Sequence, residues 1–217
     1  MRIGEVDYTH FTEGLGYWTV KVEDIGDYLP IKIRDSPALY NPFIGWKISH
    51  DVETFIEDVV RKIAVPDGEG TPEVECWGNY FNRSTWTYHR YYHLPHIDGP
   101  GWVGNLWLSE HPEGSRGTEF YNYKDNWKHD EFNFPRPLEM LKQIETTWQQ
   151  WDISQVESYG FEYLGTAPAK KNTITIYNSC MPHKQYIGDK CDTSWSQLVQ
   201  VKKGINLDAY KRAFNLT

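Results

Sequence analysis

The feature that most constrains this chain is a succession of short β-type runs, beginning near Trp77, separated by glycine and proline turns. Thr85–Tyr92, Asn105–Ser109 and Thr118–Tyr123 form a first set, and Glu157–Leu164, Asn172–Asn178 and Ser196–Lys202 a second. The breaks are Gly99-Pro100-Gly101, His111-Pro112-Glu113-Gly114, and Gly165 to Pro168. A parallel βαβ protein alternates strand with helix, and this chain does not. Its helical patterns are few. His50–Ile63 sets Val52, Phe55, Ile56, Val59, Val60 and Ile63 on one stripe, capped by Ser49 and stopped at Pro66-Asp67-Gly68. Leu138, Leu141, Ile144 and Trp148 predict a helix inserted between the strand sets, and Leu207–Phe214 a short last one. Tyr17–Val22 alternates as an early strand, and Ile31–Ile33 reads as another. The expectation is a mainly β antiparallel sandwich or jelly roll with helical support. It forms one domain over 1–217, with N-terminal support over 1–76, a core over 77–203 and a tail over 204–217.

Charge and hydropathy exclude other classes. The chain carries 22 Lys and Arg against 30 Asp and Glu, a net charge of −8. That balance argues against sequence-independent nucleic-acid binding, which depends on cations neutralising phosphates. No run nears the roughly 20 apolar residues a membrane helix needs. The first residues lack the apolar core of a secretory signal, so a cytoplasmic setting is expected. Cys76, Cys180 and Cys191 make neither a disulfide framework nor a CxxC pair, and Cys180 and Cys191 read as buried free thiols. Aromatic residues make up 16% of the chain, with 10 Trp and 15 Tyr, which suits half-buried strands and ligand clefts alike. Trp127, Trp148 and Trp151 are expected to pack the inserted helix.

Eight histidines raise a metal hypothesis, and spacing selects among them. His96-Ile97-Asp98 puts an imidazole and a carboxylate two apart, on one side of an extended strand. His111-Pro112-Glu113 and His129-Asp130-Glu131 have the same spacing, but the first lies in a turn and the second in a polar connection. His96 follows a β-prone run and precedes a sharp turn, where coordination positions stay open. His183, after the run Thr173–Tyr177, is the best third ligand. Two histidines and one carboxylate are the facial triad of non-heme iron oxygenases.

At this point the residues resemble a family. Leu94-Pro95-His96-Ile97-Asp98-Gly99 resembles the HxD segment of 2-oxoglutarate/Fe(II)-dependent oxygenases, especially the prolyl-4-hydroxylase-like branch. Asn105–Glu110 is similar to that branch's next strand, and Glu113–Phe120 to its Gly-Gly-x-Thr-x-Phe hairpin. Asn172–His183 resembles the strand leading to the distal histidine. The resemblance implies a double-stranded β-helix, a cupin-like jelly roll. It also implies Fe(II) held by His96, Asp98 and His183, 2-oxoglutarate and O2 as cosubstrates, and hydroxylation of an unactivated C–H bond in a peptidyl or small-molecule substrate. Tyr88 and Trp107 match positions where the family sets an aromatic against the cosubstrate.

One departure stands out. The family places an Arg or Lys on the strand after the distal histidine, paired with the far carboxylate of 2-oxoglutarate. Here Trp195 falls at that position in Asp192-Thr193-Ser194-Trp195-Ser196-Gln197. A bare carboxylate in a dry pocket is costly. Lys190, Lys124 and Arg90 are the alternatives, with Lys190, closest in sequence, preferred. Two rival readings stand beside the oxygenase. One is a cupin-like metalloprotein with other metal chemistry. The other is a non-enzymatic β-sandwich that binds through exposed aromatic rings.

Overall fold

The computed structural model describes residues 1–12, 15–25, 43–44, 54–55, 58–59, 75–84, 95–97, 102–123, 151–179, 181–187 and 194–203. Among the described residues ten strands run in chain order: β1 (Arg2–Thr12), β2 (Leu15–Glu23), β3 (Phe43–Ile44), β4 (Glu75–Ser84), β5 (Trp102–Trp107), β6 (Arg116–Tyr123), β7 (Phe161–Pro168), β8 (Thr173–Asn178), β9 (His183–Ile187) and β10 (Ser194–Lys203). A helix, α1 (Ile153–Glu157), lies just before β7. The strands form a seven-stranded sheet in the order β1-β2-β8-β5-β10-β4-β3 and a three-stranded sheet in the order β7-β6-β9. Every pairing is antiparallel.

The pairs are nested. β6 pairs with β7, β5 with β8 outside them, and β4 with β10 outside those. Between the last two levels, His96 bridges His183 at the start of β9. Along the chain the nested segments alternate between the sheets, and the β6–β7 pair is the innermost level. The sequence drives this locally. β8 reads Thr-Ile-Thr-Ile-Tyr-Asn and β5 reads Trp-Val-Gly-Asn-Leu-Trp, and both are buried throughout, as central strands covered on two faces must be.

The space between the sheets is closed by aromatic rings. Val103, Tyr177 and Tyr17 of the larger sheet pack with Phe120, Ala167 and Met181. Phe120 stacks on Tyr17 at 5.4 Å between centroids and meets Tyr177 edge-on at 5.0 Å. Burial of each such ring contributes about 1.5–3 kcal/mol. Because side chains alternate, Asn105 and Trp107 on β5, and Thr173 and Thr175 on β8, share the inner face with Val103 and Tyr177. Thr118 and Arg116 share the corresponding face of β6 with Phe120.

Several sequence expectations shift. The run Glu157–Leu164 is divided: Glu157 ends α1, Gly160 turns the chain at φ 89°, and β7 begins at Phe161. The cause is a capping box in which the Asp152 carboxylate accepts from the Gln155 amide at 2.8 Å, and the Gln155 side chain accepts from the Asp152 amide at 2.9 Å. Gly165 to Pro168 belong to β7 rather than to a turn. Gly165 lies opposite Phe120, where a Cβ would come within 2.5 Å of the Phe11 ring, so the strand needs glycine there for close approach. Pro168 ends a strand at the sheet edge, where a missing N–H costs no ladder bond. His183, placed after a strand by its sequence, opens one. β1, absent from the sequence pattern, pairs with β2, which contains the expected Tyr17–Val22 and joins the larger sheet through β8. Thr54, Phe55, Asp58 and Val59 are helical, as the stripe requires, and Val59 is buried. Trp151 is buried beside Val156 of α1. Ile31–Ile33, Thr85–Tyr92, the inserted helix with Trp127 and Trp148, and the tail helix lie outside the described residues.

Candidate metal centre

Two of the three expected ligands meet. The His96 amide donates to the His183 carbonyl at 2.8 Å, and the His183 amide returns the bond at 2.9 Å. This backbone bridge brings the imidazoles to 4.5 Å between ring centroids, inclined by 51°. The His183 Nδ1 donates to the Met181 carbonyl at 2.9 Å, which fixes the ring orientation and leaves Nε2 as the nitrogen that faces away from that bond. Tyr177 stands edge-on to the His183 ring at 4.8 Å. His183 is only 4% exposed, while His96 is half-buried, so the pair reaches from the interior toward solvent. Among the described residues no three His, Cys, Asp or Glu side chains gather where an ion would sit. Asp98, the expected third ligand, lies outside them, as do Tyr88, Lys190, Lys124, Arg90, Cys180 and Cys191.

At the other end of the inner face stands Trp107, four residues from Val103 and so about 13 Å along the strand. It is fully buried, and its indole N–H donates to the Thr175 hydroxyl at 3.1 Å. Asn105, between them in the alternation and 6% exposed, has an Oδ1 that makes no hydrogen bond. Thr118 and Arg116 line the opposite sheet and are likewise buried. The register of β10 bears on the expected cation position. Ser196, the residue after Trp195, pairs with Trp107 in the backbone register.

The segment joining β5 to β6 turns at Gly114, φ 71°, with the Ser115 amide and hydroxyl both donating to the Pro112 carbonyl. Within it, burial holds the His111 imidazole down to about 4, aided by the positive charge of Arg116 and opposed by Glu110. The folded chain therefore binds fewer protons here than the unfolded chain between about pH 4 and the ordinary histidine value. The stability contributed by neutral His111 is full above that ordinary value and is lost as pH falls through the window toward 4. On acidification from pH 7 to 4.5 the melting temperature of the wild type should fall relative to that of His111→Gln. Parallel curves would show that His111 is not the responsible group.

The reverse face of the same strands holds a second polar cluster. Lys184, next to His183 but pointing the other way, is fully buried. Its Nζ donates to Glu119 Oε2 at 2.7 Å and to the Trp151 carbonyl at 2.9 Å. The Tyr121 hydroxyl donates to the same carboxylate oxygen. Burial pulls the Lys184 ammonium below its usual range, and Glu119 opposes that pull. Burial first, then the Glu119 charge, push the Tyr121 phenol upward. No motif in the sequence marks this cluster or gives Arg116 a role. The available signal was the alternation Arg116, Thr118, Phe120, which sets a cation on the face of a buried ring.

No protein-family model and no curated protein matches the chain. Solved structures similar to it include the non-heme α-ketoglutarate-dependent carbocyclase SnoK from nogalamycin biosynthesis, with 10% identity, a TM-score of 0.45, and coverage of 95% of this chain and 75% of that one. HygX from Streptomyces hygroscopicus, solved with nickel and 2-oxoglutarate bound, has 12% identity and a TM-score of 0.38, over 74% of this chain and 81% of that one. An N-substituted L-amino acid dioxygenase from Burkholderia ambifaria has 12% identity and a TM-score of 0.39, over 86% and 85%. At these identities and scores the likeness bears on neither the metal nor the chemistry of this chain. Among the described residues no helix is long and apolar enough to cross a membrane.

Proposed function

We propose that the chain is an Fe(II)- and 2-oxoglutarate-dependent oxygenase that hydroxylates a peptidyl or small-molecule substrate, built on a double-stranded β-helix over residues 77–203. The observation that carries this reading is the His96–His183 pair, joined by its own backbone bridge and next to the HxD carboxylate in sequence. The nested pairing, alternating between two sheets, supports the β-helix, since a hairpin wound on itself has that order. The donor set suits the ion. Two neutral imidazoles and one carboxylate leave positions open for a chelating cosubstrate and O2.

In this reading His183 presents Nε2, the Met181 carbonyl holds its ring, and His96 and Asp98 complete the ligand set. Phe120, Tyr177 and Val103 keep water from the inner side of His183. Trp107 forms part of the wall against which the cosubstrate lies. When bound, Fe(II) would let O2 act as the oxidant, with two electrons drawn from 2-oxoglutarate, which leaves as succinate and CO2, and two from the substrate C–H bond.

Anaerobic titration with Fe(II) and then 2-oxoglutarate, followed by admission of O2, tests the reading. The expected result is one metal per chain and formation of succinate. Stoichiometric metal without succinate would favour the cupin-like alternative. No stoichiometric metal at all would favour an aromatic-lined binding module.

A further inference from the structure

We propose that Arg116, on β6, anchors the far carboxylate of 2-oxoglutarate, in place of the cation that β10 lacks. The inference rests on the oxygenase reading above. A dicarboxylate held at the metal through its oxo-acid end would need a partner for its second carboxylate on the inner faces of the two sheets. That carboxylate requires a buried cation, because charge-assisted bonds of fixed geometry are what offset its desolvation.

β10 reads Ser-Trp-Ser-Gln-Leu-Val-Gln from Ser194 to Gln200 and offers none there. Arg116 meets the requirement on three counts. First, it shares the face of β6 that carries Thr118 and Phe120, and Phe120 is the residue directly opposite His183. Second, it is 1% exposed, so its guanidinium belongs to the interior. Third, it lies four residues from Phe120, about 13 Å along the strand. An arginine side chain and a five-carbon diacid, reaching toward each other, span that separation. The intervening lining is polar. Thr118 lies between them on β6, and Asn105, across the sandwich, keeps an Oδ1 without a hydrogen bond. A guanidinium presents two parallel N–H groups to one carboxylate, which also selects a diacid over a monoacid.

The test compares 2-oxoglutarate with 2-oxovalerate, which has the same chelating end but no far carboxylate, by calorimetry on Mn(II)-loaded protein. Arg116→Gln should weaken 2-oxoglutarate about 30-fold while leaving Mn(II) and 2-oxovalerate within about twofold, and Arg116→Lys should fall between. Equal losses for both oxo acids, or no loss, would overturn the assignment while leaving the oxygenase reading intact. Failure of the wild type to bind either oxo acid would overturn that reading and the assignment with it. Because Arg116 is buried and Arg116→Gln can unfold the chain, hydrogen exchange of the wild type gives a second readout. 2-Oxoglutarate, and not 2-oxovalerate, should slow exchange in the peptide spanning 108–118. Slowing confined to 188–196 would transfer the role to Lys190 and overturn the proposal.

Discussion

Replacing His183 by alanine should abolish stoichiometric Fe(II) binding and succinate formation while leaving the chain folded. The fold survives because the bridge to His96 is made by main-chain atoms, the amide and carbonyl of each residue, and alanine keeps both. The ring is lost, and with it the Nε2 nitrogen held in position by the Met181 carbonyl. Loss of an outer partner such as that carbonyl typically costs a metal site about 10–100-fold, so loss of the ligand itself should exceed about 100-fold. His96→Ala should behave alike, for the same reason. Metal analysis after gel filtration, paired with a melting curve, separates the two effects. A His183→Ala chain that melts normally and keeps its iron would remove His183 from the centre.

The second large effect lies behind the site. Glu119→Ala should destabilise the fold by about 3–5 kcal/mol, because it strands the Lys184 ammonium in a buried position. For a chain of this size that corresponds to a fall in melting temperature of about 6–20 °C. The Tyr121 hydroxyl loses its acceptor in the same step. Removing both charges at once tests the cause. Glu119→Leu with Lys184→Met should recover most of the loss, since an apolar pair of similar volume leaves no orphaned charge. If the double variant is as unstable as the single one, packing rather than charge is responsible.

The contrast between these two clusters shows what was readable in the residues. β2, β5, β6, β8 and β10 announce themselves by β-branched and aromatic runs, and the two histidines by motif spacing and position after such runs. β1 does not, because most of its positions are exposed and its polar residues fall on both faces. β9 has five residues, too few for a period, and it begins within the segment that reads as a loop. Lys184 and Glu119 each look like a solvated charge. Only the register of β6 against β9 makes them partners, and no local pattern encodes that register. The start of α1 also escapes the sequence pattern. Asp152 and Gln155 have capping spacing, and the β-prone residues after them masked it.

The nesting of the strands has a kinetic corollary. Once β6 and β7 have paired, the loop left for β5 and β8 to close is shorter than the bare chain between them, and each outer level gains in the same way. Closure entropy thus favours assembly from the β6–β7 pair outward, ending with β4 on β10 across the separation from Glu75 to Lys203. His96 and His183 belong to the level just inside that last one. The imidazole pair is a late product of folding, formed only when the inner strands already stand. An ion that requires both rings is therefore captured by a nearly finished fold, and does not nucleate it.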